Sequence, residues 1–297
     1  MKSGIVVLKK EEGITSQGAV NRVKRLFGAD KAGHTGTLDP LATGVLPVLI
    51  GRGVKASEYM LSSDKYYRAT LLLGLTTDTE DVTGTTLSEC DRIPDEDAVL
   101  SAVASFVGPS KQIPPMYSAL KVGGKKLCDL AREGKEIERE ARDIFIHSIT
   151  AKKIDERRYA LDVHCSKGTY IRTLCADIGK KLGTGGVMET LERTKASVFT
   201  LADAKTLSEL EAMSEQERES VIFPIEYVFG SLTRVCLEPF FARLARCGVE
   251  IYLKKIGLSL PVGERVTIFD ERGFFALGEV REFDTGLAIK PIKQFDV

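Results

Sequence analysis

The sequence predicts an α/β protein of two domains, residues 1–229 and 230–297. From Gly4 to about residue 200, apolar residues repeat alternately at the strand period and the helix period. Beyond Gly230 the pattern changes to short strands and turns. At 297 residues, 43% hydrophobic and 28% charged, the chain is long enough for a full-sized core and a second domain.

In order along the chain, Gly4–Leu8 reads as a strand, GIVVL being continuously apolar after its glycine. Thr15 or Ser16 can cap a helix that places Val20, Val23 and Phe27 on one face and ends at Gly28. Leu46–Ile50 is a buried strand and Lys55–Leu61 a short helix. In residues 65–74 a strand puts Tyr67, Ala69, Leu71 and Leu73 on one face. Asp95–Phe106 reads as a helix with Leu100, Val103 and Phe106 as its stripe. Strands at 143–154 and 158–165 flank the polar turn Asp155–Arg158. Tyr170–Leu182 follows as a helix with Ile171, Leu174, Ile178 and Leu182 facing inward. The acidic stretch Ser208–Ser220 reads as a linker, and Asp-Glu-Arg-Gly between two apolar runs marks a hairpin in the last segment.

Composition excludes several classes. There is no 18-residue apolar run, and the N-terminus has only a five-residue apolar stretch, which argues against a membrane helix and a signal peptide. Six cysteines without a C-x-x-C, and only three histidines, argue against a zinc site or disulfide framework and for a reducing cytoplasm. Net charge is zero but unevenly spread: residues 1–55 hold nine Lys/Arg against four Asp/Glu, and residues 78–97 hold eight acids against one Arg. Such separation can build a basic, phosphate-binding face on a neutral protein.

The run Gly33–Leu49, GHTGTLDPLATGVLPVL, is the most informative stretch. Pro40 holds Asp39 out of the α region, so covalent geometry sets the direction in which the carboxylate leaves the chain. An Asp before Pro is commonly a helix cap. Here, however, it lies among Gly33, Gly36 and Gly44 and among His34, Thr35, Thr37 and Thr43, a polar cluster in an apolar context. The run resembles the catalytic-aspartate motif of the TruB family of tRNA pseudouridine synthases.

Three further segments carry the same resemblance: SDKYYR at 63–68, QIPPMYSALK at 112–121 and KGTYIRT at 167–173, with a weaker match in LERTK at 191–195. Arg172 stands in the first turn of its helix, an unfavourable place for a cation, which suggests a buried anionic partner. The resemblance makes Asp39 that partner and places Tyr170 alongside. It gives Tyr67 the role of the ring that stacks on the target uracil and Leu191 that of an apolar pocket wall. It spans residues 4–195 in collinear order. Where the family usually reads Lys-Pro, this chain has Lys10-Glu11, so Lys10 is kept and the loop is less rigid. The C-terminal segment resembles a small PUA-like RNA-binding domain in its hairpin and in GLAIKPIKQF.

The resemblance implies a pseudouridine synthase fold, a mixed and largely antiparallel sheet flanked by helices. It also implies isomerisation of a uridine in the T loop of tRNA, at position 55. The reaction breaks N1–C1′ and rejoins the base through C5, with no redox change and no net hydrolysis, so it calls for no cofactor and no metal. It needs an ionised carboxylate to attack C1′ or C6 or to start loss of the C2′ proton. Asp39 fills that role, a bidentate Arg172 keeps it charged, and Tyr67 serves C5 deprotonation. His34 is placed to fill the position the flipped base vacates. Lys10 and Thr37 join the substrate-binding set, Lys10 with Arg22, Lys24, Arg25 and Lys31 as phosphate contacts. The partner expected is the T-arm stem-loop, taken by a monomer without an obligatory protein partner. The alternatives are a guide-RNA-dependent synthase, a non-catalytic RNA-binding or tRNA-folding protein, and a hydrolase using Asp39 with His34.

Overall fold

The computed structural model describes residues 2–295. Gly4–Lys10, Thr43–Ile50, Gly186–Ala196, Lys65–Leu73, Arg158–Cys165, Arg142–Lys153 and Gly108–Gln112 lie side by side in that order in a ten-stranded sheet, with Ile222–Phe223 outside the first. The expected mixed, largely antiparallel sheet is borne out. Among the pairings along it, the junction between Gly186–Ala196 and Thr43–Ile50 is parallel, with Glu192 opposite Thr43 and Arg193 opposite Gly44. At that junction the backbones nearly touch. Gly44 has φ +99°, and a Cβ there would stand 2.3 Å from the Arg193 carbonyl oxygen, so only glycine fits.

Helices Ser16–Leu26, Glu96–Ala104 and Ile171–Leu182 pack against this sheet. Val20, Val23, Leu46, Val48, Leu71, Leu161, Leu174 and Ile178 belong to their common core. Thr15 caps the first helix by accepting from the Gly18 N–H. Ser16, the other candidate cap, instead exchanges hydrogen bonds with both backbone groups of Leu38, each at 2.8 Å, and so ties the helix to the Asp39 loop.

Several elements differ from the sequence reading. The helix after Asp95 buries Val99, Ala102 and Val103, a face rotated from the expected Leu100 stripe. The supposed linker at 208–220 is two short helices, Leu207–Ala212 and Glu215–Ser220. Reciprocal capping boxes, Thr206 with Glu209 and Ser214 with Glu217, hold their starts, and Leu207 and Leu210 are buried in the main core. Those acids cap helices rather than solvate a linker.

A second, five-stranded sheet runs Thr233–Cys236, Arg265–Asp270, Gly273–Phe283, Gly286–Gln294 and Ile251–Tyr252, and includes the expected hairpin. Its own core includes Val266, Ile268, Phe275 and Val280. A shared aromatic cluster of Phe229, Phe269, Phe274 and Phe295, packed against Ala56 and Tyr59, fastens it to the first sheet's side of the molecule. Glu58–Lys293 at 2.7 Å closes the rim of that seam.

Candidate active site

The parallel junction places the loop before Thr43 over the middle of the large sheet, where a cavity of about 340 Å³ opens. Asp39, Thr37, Tyr67, Tyr170, Arg172 and Leu191 line it. Six of the eight residues picked from the sequence therefore meet in one cavity, although 152 positions separate Asp39 from Leu191.

Asp39 is 35% exposed at its side chain and pairs through Oδ2 with Arg172 Nε at 2.9 Å, while Arg172 is only 3% exposed. The contact is single, not the expected bidentate fork. The rest of the guanidinium is committed elsewhere: Nη1 donates to the Thr79 carbonyl at 3.0 Å and Nη2 to the Tyr117 carbonyl at 2.7 Å. Arg172 is thereby fixed in orientation by backbone and offers one edge to Asp39. A second carboxylate, Asp81, approaches Arg172 Nε at 3.8 Å. Asp81 is buried and accepts from the Thr79 and Thr83 hydroxyls and the Thr83 N–H.

Burial pushes the Asp39 carboxyl above the ordinary carboxylate range. Arg172 pulls it back, Asp81 adds to the rise, and Lys10 opposes it. Burial likewise pushes the Tyr67 hydroxyl up, against the pull of Arg193. Tyr67 is thus a protonated phenol at neutral pH.

Lys10 is placed differently from expectation. It is 1% exposed, and its ammonium donates to the carbonyls of Glu11 at 2.9 Å, Pro40 at 3.1 Å and Ala42 at 2.6 Å. It grips the Asp39 loop from behind and is not on a surface that meets phosphate; burial lowers its pKa to about 8. Arg22, Arg25 and Lys31 are exposed, as phosphate contacts must be. His34 lies outside the cavity lining, with Nδ1 accepting from the Gly36 N–H at 3.3 Å, and burial holds it below the usual imidazole range.

Sequence reasoning missed Arg193, Asp81 and Gln112. Arg193 is 1% exposed, lines the cavity and donates from Nε to the Val45 carbonyl at 2.7 Å and from Nη2 to the Gly36 carbonyl at 3.1 Å. It pairs with Tyr67 across neighbouring strands, so it joins the aromatic to the aspartate loop. Its place in LERTK was the available signal. Gln112, in QIPPMYSALK, clamps both backbone groups of Tyr170, accepting at 2.7 Å and donating at 3.0 Å. Asp81 lies in the acidic stretch, where it looks like one more surface charge.

A family model for the N-terminal domain of TruB family pseudouridylate synthases matches residues 24–171, and one for the C-terminal domain of tRNA pseudouridylate synthase B matches residues 172–230. A tRNA pseudouridine synthase B from Alkaliphilus oremlandii is 42% identical over 95% of this chain and 94% of its own. Another from Francisella tularensis subsp. novicida is 40% identical over 99% and 95%. Among solved structures, a Cbf5-Nop10-Gar1 complex contains a chain similar to this one with TM-score 0.70 and 25% identity, covering 98% of this chain and 84% of that chain.

Proposed function

This chain belongs to the TruB family and is a tRNA pseudouridine synthase, an isomerase, and from that premise we propose that it converts the T-loop uridine at position 55 with Asp39 as the reacting carboxylate. The observation that carries the reading is the Asp39–Arg172 pair at 2.9 Å on the wall of a cavity of about 340 Å³. That volume is at the lower end of small-ligand sites and suits one flipped nucleoside. A carboxylate that is partly desolvated yet anchored by one cation is reactive and correctly aimed. Leu191 and the Tyr67 ring supply apolar walls for the base.

The relatives at about 40% identity are named as tRNA enzymes and match nearly end to end, which favours a stand-alone tRNA synthase over a guide-RNA-dependent one. Basic Arg22, Arg25 and Lys31 and the second sheet, between Thr233 and Gln294, hold the T arm. No helix among the described residues is long and apolar enough to cross a membrane. All six cysteines are free thiols, which supports the cytoplasm as the site of action. The protein works as a monomer with tRNA as its partner. Incubating the purified chain with unmodified tRNA, without added cofactor, should yield pseudouridine at position 55. Pseudouridine elsewhere, or none, overturns the reading.

Tyr67 acts as a proton relay after the base is rejoined through C5: its oxygen accepts the C5 proton as its own passes to solvent. Tyr67→Phe keeps the stacking face and removes this route. It is expected to accumulate an isomerised but undeprotonated adduct and to release product slowly, whereas Tyr67→Leu should also weaken base binding. Wild-type turnover by the Phe variant reduces Tyr67 to a stacking platform.

A further inference from the structure

Two of the chain's three histidines converge on one carboxylate, on side chains that the catalytic cavity does not use. Asp64 Oδ2 lies 3.2 Å from His147 Nε2 and 3.5 Å from His164 Nε2, and all three donor atoms fall within 4.8 Å of one another. We propose that Asp64, His147 and His164 form a binding site for one divalent transition-metal ion of the zinc type.

The backbone builds this cluster from three strands. His164 is opposite Tyr66 on the neighbouring strand, and its ring stacks on Tyr66 at 3.9 Å between centroids. Asp64 stands just before that strand. His147 occupies the irregularity where the register of Arg142–Lys153 shifts between Ile146 and Ser148. A bulge re-aims a side chain, and here it sets the His147 ring 4.4 Å from His164. This is why no ligand spacing shows in the sequence: the histidines stand 17 positions apart, and a hairpin brings them together.

The distances suit a metal. With bonds of about 2.0–2.1 Å, tetrahedral ligand atoms stand roughly 3.3–3.4 Å apart; the two Asp64–histidine separations, 3.2 and 3.5 Å, bracket that, and the two histidine nitrogens lie within 4.8 Å of each other. Two imidazoles and a carboxylate suit zinc, nickel or copper better than magnesium or calcium. Each imidazole offers Nε2 as a lone pair when its proton sits on Nδ1, so binding needs only that tautomer. The side chains are 35%, 23% and 44% exposed for His147, His164 and Asp64, which leaves a fourth position for water and makes the ion exchangeable. The ion would fasten strand ends beside the cavity, since Lys65 and the loop from Ser166 to Thr169, which follow Asp64 and His164 closely, line it.

The test is calorimetric titration of chelator-treated full-length protein with Zn²⁺ alone, repeated with Co²⁺ to read the ligand type from the visible spectrum. Wild type is expected to bind one ion per chain with a nitrogen–oxygen spectrum and to gain Tm with Zn²⁺. Asp64→Asn, His147→Ala and His164→Ala should each bind at least tenfold more weakly and lose that gain. Circular dichroism checks that each is folded, and Asp64→Asn, at a half-exposed position, serves if His164→Ala disturbs the stack on Tyr66. Cys236→Ser with Cys247→Ser, which removes the two exposed thiols, should bind as wild type does. No binding by wild type, a thiolate spectrum, or unchanged binding by Asp64→Asn and His147→Ala overturns the proposal and leaves an Asp–His hydrogen-bonded cluster.

Discussion

Asp39→Asn is expected to abolish pseudouridine formation, with turnover reduced by at least about four orders of magnitude, the scale on which removal of a covalently acting group is felt. Affinity for tRNA should stay within about tenfold, roughly 1.4 kcal/mol. The structure says why the two effects separate. The amide keeps the size of the carboxylate, and Arg172 keeps its bonds to the Thr79 and Tyr117 carbonyls and its approach to Asp81. Lys10 continues to hold the loop through Pro40 and Ala42. Stability should not fall. Burial raises the Asp39 pKa, so above that pKa its ionisation works against folding, and a neutral amide is free of this cost. Single-turnover kinetics with a binding measurement and a thermal melt separate these outcomes. Retention of a substantial fraction of turnover shows that Asp39 is not the reacting carboxylate.

The same raised pKa has a kinetic sign. The reaction uses the ionised form, so wild-type kcat/KM should fall on the acid side at a pH above the ordinary aspartate range. A limb at or below that range would mean that Arg172 and Lys10 together outweigh burial and Asp81.

Much of the site was legible through the segments that resemble the TruB motifs, and at Asp39 and Arg172 covalent geometry and residue type point the same way. The Asp–Pro bond exposes a carboxylate, and a cation in the first turn of a helix, as at Arg172, needs an anion nearby. What was not legible depends on the strand Gly186–Ala196. Glu189, Glu192, Arg193 and Lys195 interrupt its apolar alternation, and its register against Lys65–Leu73 shifts twice. No clean period of two survives, although this strand is central to the sheet. Arg193 is therefore hidden in a segment that looks like surface. Lys10 was misread for the opposite reason: a lysine in a basic stretch is ordinarily solvated, and only the loop's carbonyls folding over it reveal a structural role. Asp81 needed the turn it stabilises to be seen beside Arg172. Near it Glu80 takes φ +62°, uncommon for a residue with a Cβ, and accepts from the Thr173 hydroxyl at 2.6 Å.

Arg172→Lys carries the second large effect, and the geometry sharpens its reason. The guanidinium serves three partners from one rigid plane: Asp39 through Nε, Thr79 through Nη1 and Tyr117 through Nη2. An ammonium on a flexible stem keeps the charge but cannot span all three. The carbonyls it abandons lie on the loop bearing Asp81 and on the segment that completes the cavity. Losing a buried partner costs about 1–3 kcal/mol, so a lower Tm is expected. Turnover should fall about 10²- to 10³-fold while KM changes by only a few-fold, because Asp39 loses its orientation rather than the RNA losing a contact. The acid limb of the pH profile should move upward, since a weaker pair opposes burial less and the carboxylate protonates at higher pH. Steady-state kinetics across pH on a variant verified as folded checks both. A rise in KM with unchanged kcat and an unmoved acid limb would make Arg172 a phosphate contact and detach it from the chemistry of Asp39.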